Sequence, residues 1–260
     1  MMTLILAASL GWVIALHSGM PSNCIGCSFA RRDLRGADFS RAKYVGADFE
    51  GADLRNASFR EADLVGADFE NADVRAADFT AAKLAGVNFR GARIEGARFV
   101  GVQIAGADLR GALDHAGDPD VRGILSNCVG CDLEGAILAG RNLAGVSIVG
   151  SNLRDVRARG VRFTGADLEG VDFGGSDLRG ADLRGAKLCS YNTRSGAEHG
   201  PAFYDAGIGC ADLRGADVRG ADLRGVLACK GGRESSRCEP VDAATLRERS
   251  ESNLDGAILQ

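Results

Sequence analysis

At 260 residues the chain can bury a sizeable core, yet it carries 37 glycines, one tryptophan and only 6% aromatic residues. Ordinary layered packing uses more bulky side chains than that. Its 31 basic residues against 35 acidic ones leave a net charge of -4, which speaks against both a basic nucleic-acid binder and a strongly acidic decoy. Residues 1–22 open with an uncharged, largely apolar stretch, Leu4 to Leu16, that contains Trp12. It is too short to span a bilayer comfortably, so no stable membrane span is expected in the mature chain. It reads as a signal-peptide core, although no basic residue precedes it and no Ala-x-Ala site follows. The other reading is an apolar cap on the open end of the repeats that follow. Export, to a periplasm or beyond, is favoured over a cytoplasmic location.

From residue 23 the chain is periodic. Gly36-Ala37-Asp38-Phe39, Gly51-Ala52-Asp53-Leu54 and Glu61-Ala62-Asp63-Leu64 are copies of one five-residue unit, Ala-Asp-Leu/Phe-x-Gly. With the large apolar residue called i, its centres run from Phe29 to Leu109 without a slip, seventeen in a row. A period of five is neither the 3.6 of a helix nor the two of a flat strand. It fits a coil that turns a corner every five residues, with i and the small i−2 residue inward, i−1 and i+1 facing water, and glycine at the i+2 corner, where no Cβ restricts φ.

The number of sides follows from which residues would stack. Successive coils lie about 4.8 Å apart, and like residues then form ladders. At a spacing of twenty, Phe29, Phe49, Phe69 and Phe89 form one column and Phe39, Phe59, Phe79 and Phe99 another on the opposite wall. Between them lie Leu34, Leu54, Val74, Ile94 and Tyr44, Leu64, Leu84, Ile104. A spacing of fifteen would mix Phe with Leu in every column. Four sides are expected.

The first array occupies residues 23–113. A connecting loop, 114–127, shifts the register; its Asp114, His115, Asp118 and Asp120 are read as a solvated loop rather than as metal ligands. The second array, 128–188, has centres from Leu133 to Leu188. There Arg141 takes an i−2 place and Ala158 an i place between Arg157 and Arg159, so local irregularity is expected, an inward arginine being costly unless paired or wetted. Residues 189–210 are an irregular coil or an extruded loop. A third short array, 211–228, is centred on Leu213, Val218 and Leu223. Residues 229–260 are expected to hold a polar loop, a short capping helix over Val241 to Ser252, and residual repeats at Leu254 and Leu259.

These tandem Ala-Asp-Leu/Phe-x-Gly units resemble the pentapeptide-repeat proteins over nearly the whole repetitive region. The resemblance implies an all-β fold, a right-handed quadrilateral (four-sided) β-helix solenoid. It also implies a non-enzymatic scaffold, with a DNA-mimicking inhibitor or protector of a type II topoisomerase, DNA gyrase, as the alternative activity.

Eight cysteines are present. Asn23-Cys24-Ile25-Gly26-Cys27 and Asn127-Cys128-Val129-Gly130-Cys131 open the two major arrays with one signature, as an internal duplication would. Four coils lie between the pairs, roughly 20 Å, beyond the reach of a shared zinc ion. Each cysteine falls on an i or i−2 place, so inward packing is preferred to ligation. Cys189, Cys210, Cys229 and Cys238 flank irregular segments and are the candidate disulfides, Cys189 with Cys210 and Cys229 with Cys238, if the compartment is oxidising; a four-cysteine zinc site is the rival.

Three histidines, one of them in the leader, and aspartates that recur as repeat residues give catalysis no focus. No cofactor is expected. The outer i+1 residues sort into stripes: Arg35, Arg55, Arg75; another beginning Glu50, Glu70; and Val45, Val65, Ala85, Ala105. The last is a narrow apolar strip on a charged solenoid, the candidate contact surface for a protein partner or a homodimer. The arginines follow aspartates by two residues, which predicts a self-compensated ladder rather than a phosphate track, and nucleic acid is not the expected partner.

Overall fold

The computed structural model describes residues 23–113, 121–192, 211, 213, 216–231, 237–240, 244, 254–255 and 257–258. The expected leader, residues 1–22, and all of the expected capping helix except residue 244 lie outside them.

The backbone is held by a repeating set of bonds that explains the five-residue unit. Around Phe49, the Ala47 amide donates to Tyr44 O across the corner (3.1 Å) and Asp48 N to Cys27 O of the coil before (2.8 Å). Phe49 N donates to Asp68 O (2.7 Å) and Gly51 N to Glu70 O (2.8 Å) of the coil after. The fifth amide, Glu50 N, donates to the Asp48 carboxylate at 2.9 Å. Aspartate at i−1 therefore caps an amide the coil cannot use, a local side-chain bond of the Asx kind. Parallel bridges join Asp33 to Asp53, Asp53 to Asp73, Ser58 to Asp78 and Lys43 to Asp63. Each link spans twenty residues, so four repeats close one coil.

We number the walls by their i columns: wall 1 begins at Phe29, wall 2 at Leu34, wall 3 at Phe39 and wall 4 at Tyr44. The core is the inward file of i and i−2 side chains. Within wall 3, Phe39 and Phe59 stack at 4.8 Å, and Phe59 and Phe79 at 4.9 Å. The two phenylalanine columns meet edge to face, as in Phe39 with Phe49 at 5.4 Å, the geometry aromatic quadrupoles favour.

The break after the first array does not divide the solenoid. Strand β1 (Ile104–Ala105) pairs in parallel with β2 (Cys128–Val129), and Asp108 bridges Asp132. Wall 4 and wall 1 thus run on, with a step of twenty-four instead of twenty. The connection is also more than a loop: Val121–Leu125 forms a short helix, α1, that buries Val121, Ile124 and Leu125, supplying apolar side chains where two repeats are missing.

The irregularity expected at Arg141 and Ala158 does not occur. Ile137 bridges Arg157, Arg157 bridges Asp177, and Ala158 is fully buried. Arg141 stays half-buried and donates to the carbonyls of Ile137 (3.0 Å) and Leu113 (3.3 Å), so its charge sits on backbone acceptors at the break.

Further along, Ala211 N donates to Leu188 O, and Asp177 and Asp182 bridge Asp217 and Asp222. Leu188 and Ala211 thus join two coils directly, while residues 193–210 lie outside the described residues. Strand β3 (Lys187–Asn192) pairs in parallel with β4 (Leu227–Gly231), which pairs antiparallel with β5 (Arg237–Pro240). Asp222 bridges Ile258, and Leu254 is buried over the last coil.

Candidate interaction face

The corner residues set how each wall ends. Gly46, Gly66 and Gly86 have φ of 63°, 67° and 66°, the positive value required at the third position of a type II turn. Asn56 and Asn71 hold the same conformation on other corners at 60° and 56°.

Wall 2 is electrostatically closed. Arg35 Nε meets Asp33 Oδ1 at 2.8 Å and its terminal nitrogen meets Oδ2 at 2.6 Å, a two-pronged pair. Arg55 with Asp53 and Arg75 with Asp73 repeat it, and Arg35 also lies 3.7 Å from Asp53 of the next coil. The side-chain hydrogen bond from Arg35 is the main cause that lowers the Asp33 carboxyl to about 2. The Arg184 bond lowers Asp182 in the same way. On wall 1, Glu50 receives Arg31 at 3.2 Å.

Wall 4 has no such ladder. Gly46 N donates to Val65 O, Gly66 N to Ala85 O and Gly86 N to Ala105 O, at 2.8–2.9 Å, so Val45, Val65, Ala85 and Ala105 succeed one another coil by coil. The same bonds extend the file in both directions. Gly26 N donates to Val45 O, Gly106 N to Val129 O and Gly130 N to Val149 O. Ile25, Val129 and Val149 therefore belong to the strip, which ends at Glu169, whose carbonyl accepts from Gly150 N. Counting by twenty stops at Ala105 because the step across the break is twenty-four. Five large apolar residues are exposed among the described residues; Ile25 (72%), Val65 (37%) and Val129 (41%) are three of them. The outward i−1 file beside the strip is mixed, with Lys43, Asp63, Lys83, Gln103 and Asn127.

The cysteine expectations need one correction. Cys24 is bonded to Cys27 and Cys128 to Cys131, each with Cα atoms 5.6 Å apart. They do pack inward, Cys128 and Cys131 fully buried, but as disulfides rather than as thiols. An i residue and the i−2 residue beyond the next corner both point into the core, so the corner brings their sulfurs together. Of the candidate disulfides, Cys229 and Cys238 lie opposite one another in the β4–β5 register, and Cys189 faces Ala228; Cys210 lies outside the described residues, as do Asp114, His115, Asp118 and Asp120. Among the described residues no group of three His, Cys, Asp or Glu side chains is placed to hold a metal ion, and no helix is long and apolar enough to cross a membrane.

A four-sided coil of five-residue units defines a repeat solenoid. The family model for pentapeptide repeats (8 copies) matches residues 33–71, 45–80, 72–112, 126–165 and 159–190, more than half of the chain. The chain belongs to the pentapeptide-repeat family. Solved structures similar to it include HetL, a pentapeptide repeat protein involved in heterocyst differentiation regulation from the cyanobacterium Nostoc sp. strain PCC 7120. HetL is 26% identical, with 80% of this chain and 89% of that one covered and a TM-score of 0.39. A pentapeptide repeat protein from the Arabidopsis thaliana thylakoid lumen is 37% identical over 40% of this chain and 75% of its own, with a TM-score of 0.32. QnrB1, a plasmid-mediated fluoroquinolone resistance protein, is 18% identical over 76% and 81%, with a TM-score of 0.37. None of these superpositions is close enough to say more than the family does. No curated protein matches the chain.

Proposed function

We propose that this chain is a non-enzymatic scaffold, a right-handed quadrilateral β-helix that binds a protein partner or a copy of itself through wall 4. The observation that carries this reading is the apolar file of seven residues, Ile25 to Val149, on a molecule whose opposite wall 2 is closed by paired charges. Contiguous exposed apolar surface marks contact sites, and a stiff rod holds it in line. Capture experiments comparing wild type with Val45→Glu/Val65→Glu test it: the variant loses the wild-type partner or self-association, and an unchanged set of partners overturns the reading. Imitation of DNA for gyrase ranks below it, because imitation needs continuous negative charge and the arginines neutralise the aspartates of wall 2. The two disulfides support residence in an oxidising compartment, in keeping with the export reading of residues 1–22.

A further inference from the structure

Wall 4 also differs from wall 1 in its backbone. The i+1 amide is the one the coil leaves over. On wall 1 an i−1 side chain caps it in every coil whose i+1 residue is described, at Ala30, Glu50, Glu70, Arg90, Arg110, Glu134, Arg154 and Gly174. On wall 4 the amides of Ile25, Val45, Val65, Ala85 and Val149 donate to no acceptor among the described residues. Asp63 could cap Val65, yet its Oδ1 has no hydrogen-bond partner. The carbonyls of Gly26, Gly46, Gly66, Gly86 and Gly150 on the adjoining corner accept from no described donor, as is general for the corner carbonyls of this coil.

That corner is also bare. It is glycine at 26, 46, 66, 86, 106, 130 and 150, whereas the other corners place Arg31, Arg41, Asn56, Glu61, Asn71, Ala76, Ala81 and Asp155 at the same positive φ. A Cβ at any of the seven glycines would meet nothing within 4 Å. Folding thus leaves room for side chains that the sequence withholds, and a side-chain-free edge is what close approach of another backbone needs.

We infer that wall 4 pairs with wall 4 of a second copy of this chain, side by side and in register. The i+1 amides of each copy donate to the corner glycine carbonyls of the other, and the apolar files pack against each other. This rests on the reading of wall 4 as the contact face and names its occupant. Rows of unpaired amides and carbonyls are templates for another chain, and their spacing selects which chain. The wall-4 donors recur once per coil, about 4.8 Å apart. A strand laid along the axis offers same-side carbonyls about every 6.6 Å, so it falls out of step within two coils. A second solenoid has the same rise and stays in step throughout. Each level gives one donor and one acceptor and receives the same, as a twofold interface requires. The file spans six intervals, about 29 Å, and its mixed flank of Lys43, Asp63 and Lys83 raises no wall of like charge.

Sedimentation equilibrium of the full chain tests the pairing. Wild type is expected to be a dimer. Gly66→Asn/Gly86→Asn/Gly106→Asn puts side chains on the bare corner with a residue that Asn56 and Asn71 show the corner φ accepts, and is expected to weaken the dimer about tenfold or more. Val65→Glu, which leaves every corner intact, is expected to weaken it too. Gly36→Asn/Gly101→Asn, on other corners, is expected to leave it unchanged, with circular dichroism the same for all. A monomeric wild type overturns the pairing, as does a dimer that survives both the triple variant and Val65→Glu. A monomeric wild type that still loses a different captured protein on Val45→Glu/Val65→Glu overturns the pairing alone and leaves the scaffold reading of wall 4 standing.

Discussion

At the scale of single residues, the aspartate of the repeat has two tasks that composition alone does not separate. It caps the i+1 amide, and where i+1 is arginine it also holds the guanidinium. Both bonds favour the charged carboxylate, which is why Asp33 is lowered from 3.8 to about 2. A depressed folded value means that whatever stability this pair contributes is complete above the ordinary carboxylate range and is lost as pH falls from about 3.8 through about 2. An NMR titration of the Asp33 carboxyl is expected to give a midpoint of about 2, and Arg35→Ala to raise it toward the ordinary value. A midpoint indifferent to Arg35 contradicts the assignment. This pairing was legible in the sequence, since Asp33 and Arg35 are two residues apart and facing the same side. The empty caps of wall 4 were not, because Asp63 and Asn127 have the right chemistry there and do not use it.

At the scale of elements, the corners explain what sequence reading missed about cysteine. Column arithmetic places Cys128 and Cys131 inward, but it compares residues one coil apart and says nothing of neighbours across a corner. The disulfide closes a very short loop, worth about 2 kcal/mol on the chain-entropy estimate, so it fastens one corner rather than the stack. The two bonds differ in access: Cys24 and Cys27 are only partly buried at the first described coil, whereas Cys128 and Cys131 are sealed in the core. Graded reduction with alkylation and mass spectrometry is expected to label Cys24 and Cys27 before Cys128 and Cys131. Simultaneous labelling, or free thiols at all four positions without reductant, would contradict the structure. Helix α1 escaped sequence reading for a related reason. Its five residues are too few to show a period, and its task, covering for two absent repeats, exists only once the coils above and below are stacked.

At the scale of the molecule, the four walls follow from the purity of the phenylalanine columns, and bridges twenty residues apart trace the same coil. The continuity of the stack does not follow. A break that shifts the register reads in sequence as a division, yet Ile104 to Cys128 and Asp108 to Asp132 carry two walls straight across it. That continuity lengthens the apolar file from four residues to seven and makes wall 4, among the described residues, a long face on which apolar side chains, bare corners and unspent amides coincide. The most direct test is amide-resolved hydrogen exchange at low and high protein concentration. The account predicts that Val45, Val65 and Ala85 exchange freely in dilute solution and become protected as concentration rises, while the capped Glu50 and Glu70 change little. Free exchange of the wall-4 amides at every concentration would contradict it.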